Sequence, residues 1–110
     1  MKNNTVMNQK HLPSYDLIKI KSVFSAVENL RRTNSARQGA LDLGFTDQDV
    51  VDAIQALTSN DFYKSMPPVH AKFIAWQDVY KSYFKKERLY IKFQVNRNNE
   101  LLLSFKRDLS

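Results

Sequence analysis

The sequence predicts an α+β domain, and three observations carry that prediction. Apolar residues recur at helical spacing in three segments before Asn60, and the period falls to two after it. No internal repeat or low-complexity linker interrupts the chain, so helices and strands are segregated along it. Its 110 residues suit one domain, and an apolar content of 43% is enough to close one core. The expected organisation is a flexible tail over 1–12 and a single domain over 13–110.

The first helix is expected from about Asp16 to Leu30. Leu17, Ile20, Phe24 and Val27 fall on one stripe, Val23 and Leu30 widen it, and Asp16 or Ser14 caps the first turn. A short second helix starts at Thr33 as N-cap and stops at Gly44, which takes a left-handed conformation without a Cβ clash. A third follows Thr46. Asp47 and Asp49 complement the positive end of its dipole, and Val50, Ile54 and Leu57 form its buried stripe.

"DFYKSM" opens the strand region, with Phe62 and Met66 expected in the core and Pro67 and Pro68 as its stop. "FIAWQDVYKSYF" mixes aromatic and β-branched residues and is expected to form one strand. "RLYIKFQV" alternates: Leu89, Ile91, Phe93 and Val95 point one way, Tyr90, Lys92 and Gln94 the other. "ELLLSFKR" alternates too, and the polar "NRNNE" between them marks a hairpin. Matching the apolar faces requires Ile91 opposite Phe105 and Phe93 opposite Leu103, because a one-residue slip would pair apolar with polar faces. That register leaves Arg97, Asn98 and Asn99 as the loop, with Asn99 left-handed. It sets Tyr90 opposite Lys106 and Lys92 opposite Ser104.

Composition excludes several chemistries. With no cysteine there is no disulfide scaffold, thiolate nucleophile or cysteine-built metal site. His11 and His70 lack ligand-like spacing, so both are expected at the surface and no metal or other cofactor is expected. No apolar run is long enough to span a membrane, and a cytoplasmic location is expected. The net charge of +6 is uneven: residues 1–60 hold seven Lys/Arg against six Asp/Glu, and residues 61–110 hold ten against five. The basic half attracts polyanions.

The polar face of the hairpin, joined by Lys64, Gln77 and Asp78 from neighbouring predicted strands, is the first candidate site. Alternation alone leaves it open to two readings, an ordinary solvated sheet face or a surface for an RNA phosphodiester. A second candidate is the helix-turn-helix spacing Ala40, Gly44, Val50 within segment 36–57, which would suit a non-catalytic nucleic-acid-binding regulator. Asp47, Asp49 and Asp52 in its second helix would repel DNA phosphates, so a core-packing helical hairpin is the better reading. The basic "KSYFKKER" reads as a solvated connection between strands.

In this order and spacing, "DFYKSM", "WQDVY", "LYIKF" and "SFK", with "LGFTDQDVVDAIQAL" upstream, resemble the MqsR family of motility quorum-sensing regulator toxins from bacterial type II toxin–antitoxin pairs. The likeness runs from about Tyr15 to Lys106. It implies a RelE-like fold and a ribosome-independent, metal-free endoribonuclease on mRNA, favouring GC-containing sites with GCU preferred. It also implies catalytic roles for Lys64, Gln77, Tyr90 and Lys106. Tyr63 and Lys92 are candidate RNA contacts. The implied partner is an MqsA-type antitoxin with zinc-binding and helix-turn-helix domains, so that promoter DNA is bound only through that partner. Two loops depart from the family pattern. "KKER" stands where a glycine is frequent, and "NRNNE" is a residue longer than in some relatives.

Overall fold

The computed structural model describes residues 9–68 and 75–109. His70 and the start of the expected second strand, Phe73 and Ile74, lie outside the described residues, as does most of segment 1–12. Three helices, α1 (Leu17–Val23), α2 (Asn34–Asp42) and α3 (Asp47–Gln55), precede four strands: β1 (Phe62–Met66), β2 (Gln77–Phe84), β3 (Glu87–Val95) and β4 (Leu101–Arg107). The strands form one antiparallel sheet in the order β1-β2-β3-β4. This is the expected α+β domain.

The helix signals act as their chemistry requires. Asp16 rather than Ser14 caps α1, Thr33 caps α2, and Thr46 forms a reciprocal capping box with Asp49 at α3. Gly44 has φ +71° at the end of α2. Helix α1 is shorter than the expected Asp16–Leu30. The Gln55 amide donates to the carbonyls of Lys21 and Phe24 at 2.7 and 3.1 Å, satisfying its last turn from outside. A single 3-10 turn follows at Val27–Asn29, and Val27, expected in the core, is 37% exposed.

The core lies between the helices and one face of the sheet. Ile20, Phe24, Val50, Ile54 and Leu57 meet Tyr80, Leu89, Ile91, Phe93, Leu103 and Phe105 there. The β3–β4 register is the expected one, with Ile91 opposite Phe105, Phe93 opposite Leu103 and Tyr90 opposite Lys106. Asn99 takes φ +61° in the loop. Between β2 and β3 the turn is Lys85–Lys86, both at positive φ (50° and 67°), a two-residue hairpin without the usual glycine or asparagine.

Both sheet edges have a backbone partner at one position, which hinders pairing with a foreign strand. At β1, Lys10 exchanges two backbone hydrogen bonds with Ser65, each 2.8 Å. At β4, Leu103 bonds Arg31 and Thr33, and α2 packs alongside. Gly39 makes that approach possible: a Cβ on it would stand 2.0 Å from the Phe105 carbonyl oxygen and 3.0 Å from the Lys106 Cα. Gly39→Ala is therefore expected to destabilise the fold by about 2–3 kcal/mol. A lower urea midpoint at unchanged slope is the measurement that checks it.

Candidate functional site

Among the described residues the helices pack on one face of the sheet, and period-two alternation sends the second set of side chains to the other, open face. Cross-strand partners share a face, and the registers sort these side chains into rows. Lys64, Val79, Lys92 and Ser104 form one row. Lys81, Tyr90 and Lys106 form the next. Met66 and Gln77 lie one row to the other side. Val79 is fully buried yet stands outside the main core cluster, as an apolar floor beneath the lysines on either side.

A bulge in β1 completes the arrangement. The pairing steps from Phe62 opposite Tyr80 directly to Lys64 opposite Val79, leaving Tyr63 as the extra residue. Phe62 packs against the core and Ser65 is fully buried, while Tyr63 and Lys64 both serve the open face. The bulge also corrects the expectation that Met66 anchors the core. It pairs with Gln77 outside the core cluster, and Ser65 is the buried residue.

The result is an alternating series of cations and rings. The Lys64 ammonium lies 5.3 Å from the Tyr63 ring centre, and that of Lys81 lies 4.2 Å from Tyr63 and 5.8 Å from Tyr90. The Lys106 ammonium lies 5.2 Å from Tyr90. All are within cation–π range. The sheet order sets Lys64 and Lys106 on the two outer strands and one row apart, roughly 16 Å from each other at the backbone. Tyr63, Lys81 and Tyr90 fill the gap between them.

Lys81 opens "KSYFKKER", expected as a solvated connection; the structure instead sets it within β2 on the open face, and only Lys85 and Lys86 form the connection. Its signal was the Lys85–Lys86 turn: once Phe84 is set opposite Glu87, Lys81 falls opposite Tyr90. Two lysines at positive φ are an unusual turn signature, which hid that register. Gln77 stands in the row beyond Lys64 and Lys92, apart from the cation–ring series. Asp78, grouped with the polar face on sequence, belongs elsewhere. It is fully buried and accepts from the backbone N–H of Ser14 (2.9 Å) and Tyr15 (2.9 Å) and from Ser65 Oγ (2.7 Å). A buried carboxylate needs such donors, and here it ties the segment before α1 to β1 and β2.

Electrostatics differ between residues of the face. Burial first, then the Lys106 charge, holds the Lys92 ammonium below the ordinary lysine range. Burial chiefly pushes the Tyr90 phenol up, with Tyr63 and Asp108 adding to it, so the phenol stays protonated at neutral pH. Asp108, just after β4, lies 3.6 Å from the Lys81 ammonium and 3.9 Å from the Arg88 guanidinium. Among the described residues, no group of three or more His, Asp or Glu side chains has the geometry to hold a metal ion, and no helix is long and apolar enough to cross a membrane.

Residues 12–107 match the family described as motility quorum-sensing regulator, toxin of MqsA. The chain belongs to this family. A curated relative, the mRNA interferase toxin MqsR of Escherichia coli (strain K12), is 33% identical over 98 residues, covering 89% of this chain and 97% of the relative. Family membership agrees with the order of the motifs along β1 to β4, each of which delivers at least one residue to the open face.

The electrostatics of Lys92 yield a stability test. Its charged form is penalised in the fold, and that penalty is present in full below the folded pKa and gone above the unfolded value of about 10.5. Lys92→Met is expected to raise the Tm at pH 7, with the gain shrinking as pH rises towards 10.5. Thermal melts across that range check the sign.

Proposed function

We propose that the chain is the toxin of a type II toxin–antitoxin pair and that it cleaves mRNA as a ribosome-independent endoribonuclease in the cytoplasm. The observation that carries this reading is the single face on which Lys64, Lys81, Lys92 and Lys106 surround two tyrosine rings, in a chain whose relative is an mRNA interferase. Ammonium groups suit a phosphate that gains charge in its transition state, and rings suit unstacked bases.

In the proposed reaction the ribose 2′-oxygen attacks the adjacent phosphorus and the bond to the 5′-oxygen of the next nucleotide breaks. The products are a 2′,3′-cyclic phosphate and a 5′-hydroxyl. The nucleophile belongs to the substrate and already lies near phosphorus, so a metal-bound water is not required. Lys64 and Lys106 stabilise the phosphorane. One of these two lysines takes the 2′-hydroxyl proton, and Lys92 adds its charge to the contact with the RNA. Tyr90, whose phenol carries its proton at neutral pH, donates to the departing 5′-oxygen. Gln77 orients a phosphate or a base edge from the neighbouring row, and Tyr63 stacks on a base. GC-containing sites, GCU first among them, are the proposed substrates.

The proposed partner is an MqsA-type antitoxin, through which any promoter DNA would be bound. Direct DNA binding by segment 36–57 gains no support. Helix α3 turns Asp47 and Asp52 outward, and Asp47 and Asp49 pair with Arg32 and Lys85. These carboxylates stand where DNA phosphates would have to approach.

Purified protein incubated with a GCU-containing RNA in EDTA is expected to cleave it, leaving 2′,3′-cyclic phosphate and 5′-hydroxyl ends. Lys64→Ala and Lys106→Ala are each expected to lower turnover by about 10²-fold or more while the protein stays folded. Loss of cleavage in EDTA, or a 3′-hydroxyl product, would contradict the mechanism. A graded loss of RNA affinity with no turnover in the parent protein would instead indicate a binder.

A further inference from the structure

Beyond Lys81, Tyr90 and Lys106 the open face has one more row. Tyr83 pairs with Arg88, and the Asp108 N–H donates to the Arg88 carbonyl at 2.8 Å, carrying the pattern past the end of β4. A cavity of about 330 Å³ lies here, lined by Lys81, Ser82, Tyr83, Arg88, Asp108 and, from the turn before β1, Asp61. Its size is at the low end for ligand sites, enough for one planar ring system. We infer that this cavity is a subsite for a single RNA base next to the cleaved phosphate, with Tyr83 as its stacking platform and Arg88 and the carboxylates as its hydrogen-bonding wall. The inference rests on the nuclease reading above and deepens it.

Three observations select a base over a phosphate. The first is charge. The two rows before this one carry four lysines, whereas in this row the Arg88 cation is offset by the carboxylate of Asp108, with Asp61 beside it. Carboxylates repel a phosphate but accept hydrogen bonds from the N–H groups of a base edge. The second is Tyr83, which is 74% exposed on the open face of a paired strand. A ring so placed offers an unobstructed π-face, the feature that single-stranded recognition uses. The third is continuity. Lys81 belongs to both the cation–ring series and the cavity wall, and Tyr83 follows it by two residues on the same strand face, about 6.6 Å further on. A single strand whose phosphate lies over Lys81 and Tyr90 thus meets Tyr83 within one residue pair. Asp108 positions this junction: its carboxylate lies within 4 Å of both cations that flank it, Lys81 at 3.6 Å and Arg88 at 3.9 Å.

The test uses the full chain and a set of RNAs that share one cleavage site and are lengthened one nucleotide at a time, at the 5′ end in one series and the 3′ end in the other. For the parent protein, KM is expected to fall by about tenfold at the one added nucleotide that fills the subsite, in one series only. Tyr83→Ala should abolish that step, and Tyr83→Phe, which keeps the ring, should retain it. Because Tyr83 is exposed, both variants should melt as the parent does, and a circular dichroism melt verifies this. A length step of the same size in Tyr83→Ala and the parent would overturn the subsite, as would the absence of any step in the parent. If the parent cleaves none of the RNAs, the nuclease reading itself fails and this inference falls with it.

Discussion

The placement of the candidate residues on β2, β3 and β4 depends on one constraint, the period-two alternation of an antiparallel sheet whose second face, among the described residues, carries no helix. Once Leu89, Ile91 and Phe93 are committed to the core, Tyr90 and Lys92 have only the open face to occupy. The same holds on β4 and β2, where Phe105 and Tyr80 fix the direction of Lys106 and Lys81. Burying about six large apolar side chains on one face thus sets the geometry of a polar site on the other. At β1 strict alternation would have separated Tyr63 from Lys64, and the bulge brings both to the open side.

This arrangement opposes local stability in part. Several ammonium groups share a small surface, and Lys92 sits half-buried between Val79 and Ser104 with Lys106 nearby. Like charges in such a place disfavour the fold and attract an anion. Compensation comes from elsewhere: tyrosine rings beside the cations, the buried Asp78 with its N–H and O–H donors, α2 docked on β4 through Gly39, and Lys10 on the β1 edge. Asp78 and Gln77 are adjacent in "WQDVY" yet face opposite sides, so one motif serves the core and the candidate site at once.

Much of this was legible in the sequence because local rules fix it. Helix caps depend on one hydroxyl or carboxylate and its neighbours, and Asp16, Thr33 and Thr46 acted as their types require. The β3–β4 register followed from matching two apolar faces, and it placed Tyr90 opposite Lys106. What was hidden depends on distant partners. The early end of α1 is set by Gln55, thirty-odd positions away, and the burial of Asp78 by Ser14 and Tyr15. The bulge at Tyr63 leaves no mark on composition, and the Lys85–Lys86 turn lacks the residues that usually announce one, so Lys81 could not be placed.

In the proposed function, RNA lies on the open face of the sheet, across β1 to β4. The most direct measurement is NMR on isotope-labelled protein titrated with a GCU-containing RNA whose cleaved ribose lacks the 2′-hydroxyl, so that binding proceeds without reaction. The largest shift changes are expected on Tyr63, Lys64, Lys81, Tyr90, Lys92 and Lys106. Changes concentrated instead on the outward side of α3, at Asp47, Gln48 and Asp52, would contradict it.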